Sequence, residues 1–353
     1  MESGGLTALV LGVGGNVSQG ILKALARASL DIRVVAGCTS PLSAGLYAAD
    51  RSYVTPPADD PGFADWVEQT CHDERVDVVL SGVEPVLEAL APLADRLHDS
   101  TGARVIVSSP DTLAVGADKL ATARWLEDQD LPFPRSADAS HQSELDGLLD
   151  ELGLPLIAKP RRGKGGQGVV TVRTAAELAL IRGRSGLVVQ ELLGDAAAEY
   201  TVGCVCDANG ELAGMLAMRR QLEAGTTYRA EAGEFSGVRA AAREIVGRLR
   251  IVGPLNIQLR VHEGVPVAFE LNVRFSGTTP MRAHLGFNEV EASIRHFVLG
   301  EPLELPEVTD GLVLRYWNEL YVPREAYGRL ERDGRVDDPR SLGAQVEDWG
   351  RAE

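Results

Sequence analysis

The order in which strands and helices follow one another changes partway along the chain, and this change constrains the fold more than any other feature. The first apolar run, residues 7–12, leads through a glycine turn into a helical stretch over residues 17–28. Apolar runs and helical stretches alternate up to residue 107, which predicts a parallel sheet covered by helices. From residue 199, longer strand-like runs are joined by short turns such as 207–210 and 263–264, which favour antiparallel pairing.

These patterns divide the chain into four segments. We expect an α/β domain over residues 1–112, a central lobe over 113–187, a C-terminal lobe over 188–300 and an extension over 301–353. A chain of 353 residues is long enough for two or three lobes with substantial cores. The extension contains an aromatic run with Tyr316, Trp317 and Tyr321, for which we expect either a cover over a site or a homodimer contact.

Composition excludes several classes of protein. The net charge of -16 argues against a nucleic-acid partner, because neutralising phosphates requires concentrated Lys and Arg. No apolar run approaches the roughly 18 residues that a membrane span needs, so we expect no membrane partner. The first residues lack a basic segment followed by an apolar one, which predicts a cytoplasmic protein. The four cysteines lack metal-ligand spacing and are expected to be buried thiols.

The glycines of the first turn leave two interpretations open. Gly12, Gly14, Gly15 and Gly20 do not match the GxGxxG pattern, and no acidic residue follows the second strand at residues 36–38 to hold a ribose. A nicotinamide-dependent oxidoreductase is therefore a disfavoured alternative. The turn either closes a strand–helix unit or contacts an anionic substrate through the helix N-terminus.

The first group of candidate site residues follows the strand-like run that ends at Lys159. The next residues form a basic, glycine-rich loop over 163–168, which offers backbone N–H groups and positive charge to a polyphosphate. A flexible surface turn would show the same composition. The Walker A motif is excluded, because no Gly-Lys-Ser/Thr opens a helix.

The second group lies on two strand-like runs joined by the turn at 263–264. Because side chains alternate along a strand, Glu270, Asn272 and Arg274 point to one face of their strand. In the same way, Asn256 and Gln258 point to one face of theirs, so pairing can put both rows on a single surface. Pairing of the two strands would align oxygen ligands suited to magnesium beside a guanidinium that could stabilise a transferring phosphoryl group. An exposed sheet face would show the same alternation. The polar loop over 275–282 favours the site, since it is suited to bind an acid.

The third group is the run over 188–193 with Glu199 after a short loop. A strand that passes into a connector between lobes can present backbone groups to an adenine, with carboxylates near its amino group or the ribose hydroxyls. This signal is weak alone, because strands that end in Gln-Glu are common.

Together these residues resemble the ATP-grasp superfamily over residues 6 to 300. The likeness is greatest to the large subunit of carbamoyl-phosphate synthetase and to ATP-grasp amino-acid ligases. The resemblance implies a mixed α/β and α+β fold, in which an alternating α/β pre-ATP-grasp domain precedes a two-lobed ATP-grasp fold. The motifs stand in the family's order: Asp118-Lys119, Lys159 with its loop, 190–193, 256–258 and 270–274.

The resemblance also implies a role for each matching residue. Phosphates of ATP would be held by Lys119 and Lys159 under the glycine-rich loop, and magnesium, as two ions that manganese could replace, by Gln258, Glu270 and Asn272. Arg274 would contact the γ-phosphate and, with Lys159, act in catalysis. The remaining nucleotide contacts are implied for loop residues Gly165, Gly166, Gln167 and Gly168, for adenine-binding residues Gln190, Glu191, Leu192 and Leu193, and for Glu199 at the ribose. The family often has Asn-Pro-Arg where this chain has Asn272-Val273-Arg274.

The activity that the resemblance implies is ATP-dependent ligation of a small acid to an amine through an acyl phosphate. The acid would bind Arg282, Thr278, Thr279 and Ser276. A non-catalytic ATP-binding sensor or partner protein is an alternative from another class. The complete set Gln258, Glu270, Asn272 and Arg274 argues against it, because a protein that only binds ATP could dispense with some of them.

Overall fold

The structure is a computed structural model that describes residues 5–163, 165–194 and 198–346. Lys164 of the predicted glycine-rich loop and the last seven residues of the predicted extension lie outside the described residues. Three main sheets organise the described chain. A largely parallel sheet lies near the N-terminus, a four-stranded antiparallel sheet follows in the middle, and a six-stranded antiparallel sheet comes after it. In the described part, no helix has the length and apolar character needed to cross a membrane.

The N-terminal sheet confirms the predicted parallel arrangement. Its strands pair in the order β3-β2-β1-β4-β5, all parallel, and apolar residues that alternate on β1 pack against helices on both faces. The short strand β3 was not predicted. The elements are β1 (Leu6–Leu11), α1 (Asn16–Leu25), β2 (Ile32–Cys38), β3 (Arg51–Val54), α2 (Phe63–Glu74), β4 (Val78–Ser81), α3 (Glu84–Leu90), α4 (Ala94–Thr101) and β5 (Arg104–Val105).

Two helices, α5 (Pro110–Ala117) and α6 (Lys119–Asp128), connect this domain to the rest. Asp118 caps α6, because its Oδ1 accepts a hydrogen bond from the backbone N–H of Leu120 at 2.9 Å. The apolar side chains of both helices share a core with the C-terminal sheet. This segment therefore packs on the C-terminal lobe, although the sequence assigned it to the central lobe.

The central lobe is built around the sheet β6-β9-β7-β8, which is antiparallel throughout. Its buried apolar residues all come from residues 137–189. Because β9 belongs to this sheet, the lobe ends after Glu191, a few residues beyond the predicted boundary at 187. The elements are β6 (Ser136–Asp138), α7 (Gln142–Leu152), β7 (Leu156–Pro160), β8 (Val170–Val172), α8 (Ala175–Ile181) and β9 (Leu187–Glu191).

The C-terminal lobe contains the sheet β14-β13-β10-β11-β12-β15, antiparallel as predicted. One face packs against α9, α5 and α6, and it buries both Cys204 and Cys206 as predicted. Strand β12 was not predicted. The elements are β10 (Glu199–Cys206), β11 (Leu212–Glu223), β12 (Thr226–Ala232), α9 (Ser236–Leu249), β13 (Gly253–His262), β14 (Val265–Asn272), α10 (Thr279–His284), α11 (Glu289–Phe297) and β15 (Gly311–Leu314).

The predicted extension is divided between two other parts of the molecule. Strand β15 forms the edge of the C-terminal sheet, whereas the later strand β17 pairs antiparallel with β3 of the N-terminal sheet. Leu330 of α12 lies in the N-terminal core. The chain therefore returns to the domain in which it began. The last elements are β16 (Leu320–Tyr321), α12 (Arg324–Asp333), β17 (Arg335–Asp337) and β18 (Gln345–Val346).

Candidate active site

A cavity of about 600 Å³ lies between the central sheet and the C-terminal sheet. Residues from all three predicted groups line it, although they are far apart in sequence. The predicted residues in its wall are Lys119, Lys159, Gly165, Gly166, Gln167, Gln190, Glu191, Leu192, Leu193, Glu199, Gln258 and Glu270. Gly168, Asn272, Arg274 and the predicted acid-binding residues are not in the wall. The structure therefore brings the proposed nucleotide residues together and separates them from the proposed acid residues.

Lys159 is the last residue but one of β7 and lines the cavity with 7% of its surface exposed. Burial lowers the pKa of its ammonium group to about 8, while the nearby Glu270 carboxylate opposes this shift. Its Nζ lies 5.5 Å from the ring centroid of Phe269, within cation–π range. Among the described residues, Lys159 has no carboxylate within ion-pair distance. This cation is thus partly desolvated and available to an anionic ligand.

The glycine-rich loop is closed against the C-terminal lobe. Gly225, in the turn between β11 and β12, touches it so closely that an added Cβ would overlap the carbonyl oxygen of Gly165. Both residues have positive φ, +72° and +66°, which favours glycine at each. On the other side of the loop, Nζ of Lys119 donates to the carbonyl oxygen of Gly163 at 3.1 Å. The two lobes therefore meet at this loop.

Glu199 is buried and holds two arginines. Nη2 of Arg220 and Nη2 of Arg260 each lie 2.8 Å from one of its carboxylate oxygens. Arg220 also donates to Oε1 of Gln258 at 2.7 Å, and Arg260 donates to the carbonyl oxygen of Leu193 at 3.2 Å. The sequence motifs did not identify Arg260. Alternation along β13, which puts Arg260 on the face of Gln258, was the signal that could have found it.

The predicted hairpin brings the proposed metal ligands together. Gln258 pairs directly with Glu270, and Asn256 with Asn272, across β13 and β14. Among the described residues, Glu270 forms no ion pair, so its carboxylate faces Lys159 without a partner of its own. Nδ2 of Asn272 is buried and lacks a hydrogen-bond partner, a costly arrangement that a bound ligand or water would relieve.

This donor set fits magnesium in the type of its atoms, and of its oxygens those of Gln258 and Asn272 now accept hydrogen bonds from Arg220 and Arg274, which a bound ion would have to replace. Magnesium prefers oxygen ligands and is usually held by one or two carboxylates together with substrate phosphates. The hairpin offers one carboxylate and two side-chain amides, and the described residues contain no cluster of three or more His, Cys, Asp or Glu that could form a complete metal cage. The remaining ligands would have to come from a substrate or from water.

Arg274 lies just past the end of β14 and is held by the N-terminal domain. Its guanidinium lies 2.8 Å from Oε1 of Glu84 on α3 and donates to Oδ1 of Asn272 at 2.7 Å. The sequence did not single out Glu84, which is 190 residues away. A role for Arg274 at the γ-phosphate remains a prediction, since it does not line the cavity in this structure.

The predicted acid-binding residues form a closed network instead of a binding surface. Arg282 is 1% exposed and lies 2.6 Å from Oε1 of Glu289, which is equally buried. The same guanidinium donates to the hydroxyls of Thr278 at 2.6 Å and Ser276 at 3.1 Å, and Thr279 bonds Glu289. All four predicted residues are therefore occupied in joining α10 to α11. The sequence prediction did not foresee this, because Glu289 lies in a different helix.

The connection between the lobes follows the third predicted group. β9 ends at Glu191, whose Oε1 lies 3.4 Å from Nε2 of His262, and the chain crosses to the C-terminal lobe through Leu192 and Leu193. The side chain of Gln190 donates to the hydroxyl of Ser136 at 2.7 Å. The Gln190 amide is thus engaged within the central lobe, whereas Leu193 of the connector is tied to the C-terminal lobe by the bond from Arg260 to its carbonyl oxygen.

Comparison with known proteins agrees with this architecture. Residues 9–106 match the family described as "PylC-like, N-terminal domain", and residues 184–320 match "ATP-grasp in the biosynthetic pathway with Ter operon". The carbamoyl phosphate synthase large chain of Deinococcus radiodurans is 27% identical over 327 residues, covering 84% of this chain and 31% of that protein. The chain thus spans about a third of the length of this relative.

Two solved structures share the fold. N5-carboxyaminoimidazole synthetase from Staphylococcus aureus, complexed with ADP, superposes with a TM-score of 0.69 at 15% identity, covering 88% of this chain and 80% of that one. The L-amino acid ligase from Bacillus licheniformis gives a TM-score of 0.64 at 18% identity, covering 85% and 75%. These comparisons confirm the predicted superfamily and do not favour the sensor or oxidoreductase alternatives. The parallel N-terminal domain, the two lobes that enclose a lysine- and glycine-lined cavity and the ATP-grasp family match over residues 184–320 together make the chain similar to the ATP-grasp ligases in fold and in sequence.

Proposed function

We propose that the protein joins a small carboxylic acid to an amine at the expense of ATP, releasing ADP and phosphate. The observation that carries this proposal is the arrangement in one cavity of Lys159, Glu270 and Gln258 beneath the glycine-rich loop. A cation without a carboxylate partner and a carboxylate without a cationic partner face each other there, which suits a magnesium-bound polyphosphate. The ADP complex of the S. aureus neighbour and the amino-acid ligase among the neighbours support the same reaction class.

The residues of the chain would act mainly by position and charge. Lys159 and Lys119 would hold the phosphates, with backbone N–H groups of Gly165 and Gly166 above them. Gln258, Glu270 and Asn272 would hold magnesium, which when bound neutralises charge on the phosphates. The connector at Leu192 and Leu193 would receive the adenine. Glu199 would reach the ribose hydroxyls only by sharing carboxylate oxygens that Arg220 and Arg260 already use.

The reaction would then proceed in two steps, phosphorylation of the acid and displacement of phosphate by the amine. A carboxylate oxygen of the acid attacks the γ-phosphorus in line, the bond from this phosphorus to the β-bridging oxygen breaks, and ADP leaves. Arg274, released toward the cavity, would stabilise the transferred group. The amine nitrogen next attacks the activated carbonyl carbon, phosphate leaves with the bridging oxygen, and the amine loses a proton. The phosphate therefore carries one oxygen from the acid.

An isotope experiment tests this sequence. The protein is supplied with MgATP, single amines and a panel of acids that includes amino acids, dicarboxylates and bicarbonate, and ADP formation is followed. With an active acid labelled with ¹⁸O in its carboxyl group, mass spectrometry should find one labelled oxygen in the released phosphate. Bound ATP without ADP formation for every acid and amine pair, or unlabelled phosphate from an active pair, would contradict the proposal.

A further inference from the structure

Three segments meet at a junction outside the cavity wall. They are helix α1, the loop over residues 275–279 and the segment that follows β15. A Cβ on Gly277 of the loop would lie 2.8 Å from Oδ1 of Asn16, and a Cβ on Gly20 would lie 2.9 Å from Cδ of Pro280. From the third segment, Nη2 of Arg315 donates to the carbonyl oxygen of Gly277 at 2.7 Å. The loop is thus held between α1 and Arg315.

Two cations lie at this junction, of which Lys23 is exposed and Arg315 is half-buried. Lys23 lies seven residues after Asn16 and three after Gly20, so it is on the same side of α1. Burial, and next the charge of Arg315, lower the pKa of Lys23, and burial also lowers the pKa of Arg315. Among the described residues, neither Lys23 nor Arg315 has a carboxylate within ion-pair distance. In a chain with 51 acidic residues and 35 basic ones, two adjacent cations without an acidic neighbour leave a local positive site.

The backbone offers a further donor at the same place. Among the described residues, the N–H of Gly277 has no hydrogen-bond acceptor, although its carbonyl oxygen is used by Arg315. A buried or half-buried N–H without an acceptor is rare in folded proteins. A ligand with oxygen acceptors would satisfy it together with the guanidinium and the ammonium group.

The junction is connected to the cavity in two ways. The backbone N–H of Arg315 donates to the carbonyl oxygen of Tyr228, and the neighbouring Thr227 accepts a hydrogen bond from Arg220 in the cavity wall. Along the other path, Gly277 follows Arg274 by three residues, and Arg274 bonds Asn272. The junction is therefore joined by short chains of contacts both to the cavity wall at Arg220 and to the proposed magnesium ligand Asn272.

We propose that Lys23 and Arg315 bind an anionic group, a carboxylate or a phosphate, that the acid substrate carries in addition to the carboxyl group that reacts. This inference rests on the proposed function and gives it a substrate class: small acids with a second anionic group. It also replaces Arg282 as the residue that recognises the acid, because Arg282 is fully occupied by Glu289.

Direct binding measurements test this assignment without turnover. Titration calorimetry with succinate and with inorganic phosphate, at saturating MgADP, is carried out on the unchanged protein and on Arg315→Gln, Lys23→Gln and Arg315→Lys. We expect Arg315→Gln to weaken binding about tenfold, the effect of losing about 1.4 kcal/mol of charge-assisted hydrogen bonding, and Lys23→Gln to weaken it less. Arg315→Lys, which keeps the charge, should retain most of the affinity. Preference for succinate indicates a dicarboxylate, and preference for phosphate indicates a phosphorylated acid.

Two control variants separate this site from other cations. Arg27→Gln removes the same charge four residues after Lys23, at an exposed position, and should leave anion binding and MgADP binding unchanged. Lys159→Gln identifies binding at the position of the γ-phosphate. Anion binding that disappears in Lys159→Gln but survives Arg315→Gln would overturn the inference, as would an absence of succinate and phosphate binding to the unchanged protein. Failure of the proposed ligation would appear separately, as absent ADP formation with intact anion binding.

Discussion

Two polar clusters lie on the same face of the C-terminal sheet and differ in how their charges are paired. In the inner cluster, Arg282 and Glu289 are almost completely buried, and their charges are paired with each other and with neighbouring hydroxyl groups. In the cavity cluster, the Glu270 carboxylate acts against the lowering of the pKa of Lys159 by burial, but the two residues form no ion pair among the described residues. Charges that are satisfied internally stabilise the fold, whereas charges that lack partners are available to a ligand.

The largest expected effect is on stability and comes from breaking the inner cluster. Glu289→Gln leaves the guanidinium of Arg282 buried without a carboxylate, which should lower the free energy of unfolding by about 3–5 kcal/mol. Urea unfolding followed by circular dichroism measures it. The matched control is Glu301→Gln, which removes the exposed partner of Arg295 and should cost less than about 1 kcal/mol. Equal losses in the two variants would remove the distinction between the clusters.

The next effect is on catalysis and concerns the cavity cluster. Glu270→Gln removes the only carboxylate among the proposed magnesium ligands and should lower the rate of ADP formation by about 100-fold or more. Unfolding should be little changed, because Glu270 forms no ion pair. Initial rates with an active acid and amine measure the effect, with Glu244→Gln on the exposed side of α9 as the control. A rate close to that of the unchanged protein would contradict the metal assignment.

A smaller effect should appear in the pH dependence of nucleotide binding. The pKa of Lys159 is lowered to about 8 by burial, so above this pH the free protein must take up a proton to present an ammonium group to phosphates. Affinity for MgADP should therefore fall as pH rises through about 8, by at most about tenfold per pH unit. Calorimetry in two buffers with different ionisation enthalpies should detect proton uptake, and Lys159→Arg should abolish both effects.

The stability of the folded protein should change with pH in the direction opposite to the nucleotide affinity. The folded-state pKa of Lys159 lies below the ordinary lysine value of 10.5, so the unfolded chain binds more protons between about pH 8 and that value. The contribution of this group to the stability of the ligand-free protein should accordingly rise with pH across that window. Lys159→Met, which cannot titrate, serves as the reference. A nucleotide affinity that does not vary across the same window would show that Lys159 is not at the phosphates.

The smallest effect concerns the closed loop over the cavity. Gly225→Ala forces the β11–β12 turn away from Gly165, and should weaken MgADP binding several-fold by opening the loop, beyond the backbone strain of about 1 kcal/mol. Gly264→Ala is the matched control, because Gly264 has a similar φ of +83° in another hairpin turn but no atom near its Cβ position. Fluorescence titration of the two variants measures the difference. Identical affinities would mean that the contact has no part in nucleotide binding.

Much of the nucleotide cavity could be predicted from the sequence, because the patterns that identify its residues extend over only a few neighbouring positions. Period-two alternation on two strands and a short turn at 263–264 are sufficient to place Gln258 opposite Glu270, and the structure has this register. The same reasoning located Lys159 at a strand end before a glycine-rich loop. Strand–helix alternation likewise predicted the parallel N-terminal sheet.

Partners that come from distant segments could not be predicted in this way. The pairing of Arg274 with Glu84 joins residues 190 apart, and β17 pairs with a strand almost the whole chain length earlier. Arg282 looked like a ligand-binding residue because its loop is polar, but polarity alone does not show whether a charge is already neutralised. The ion pair with Glu289 depends on how α10 packs against α11, which no local pattern encodes.

The separate core of the central sheet has a mechanical consequence. The N-terminal domain and the C-terminal lobe share apolar cores, since Phe275 and Ile294 pack among N-terminal residues and Leu87 packs among C-terminal ones. The central lobe draws its core only from residues 137–189, so a tilt of this lobe would leave the shared core intact and would instead break polar contacts such as the ion pair between Arg161 and Asp118. In such a movement the central lobe would turn about Leu192 and Leu193 to let the nucleotide enter and leave. The N-terminal domain and the C-terminal lobe would keep their positions relative to each other.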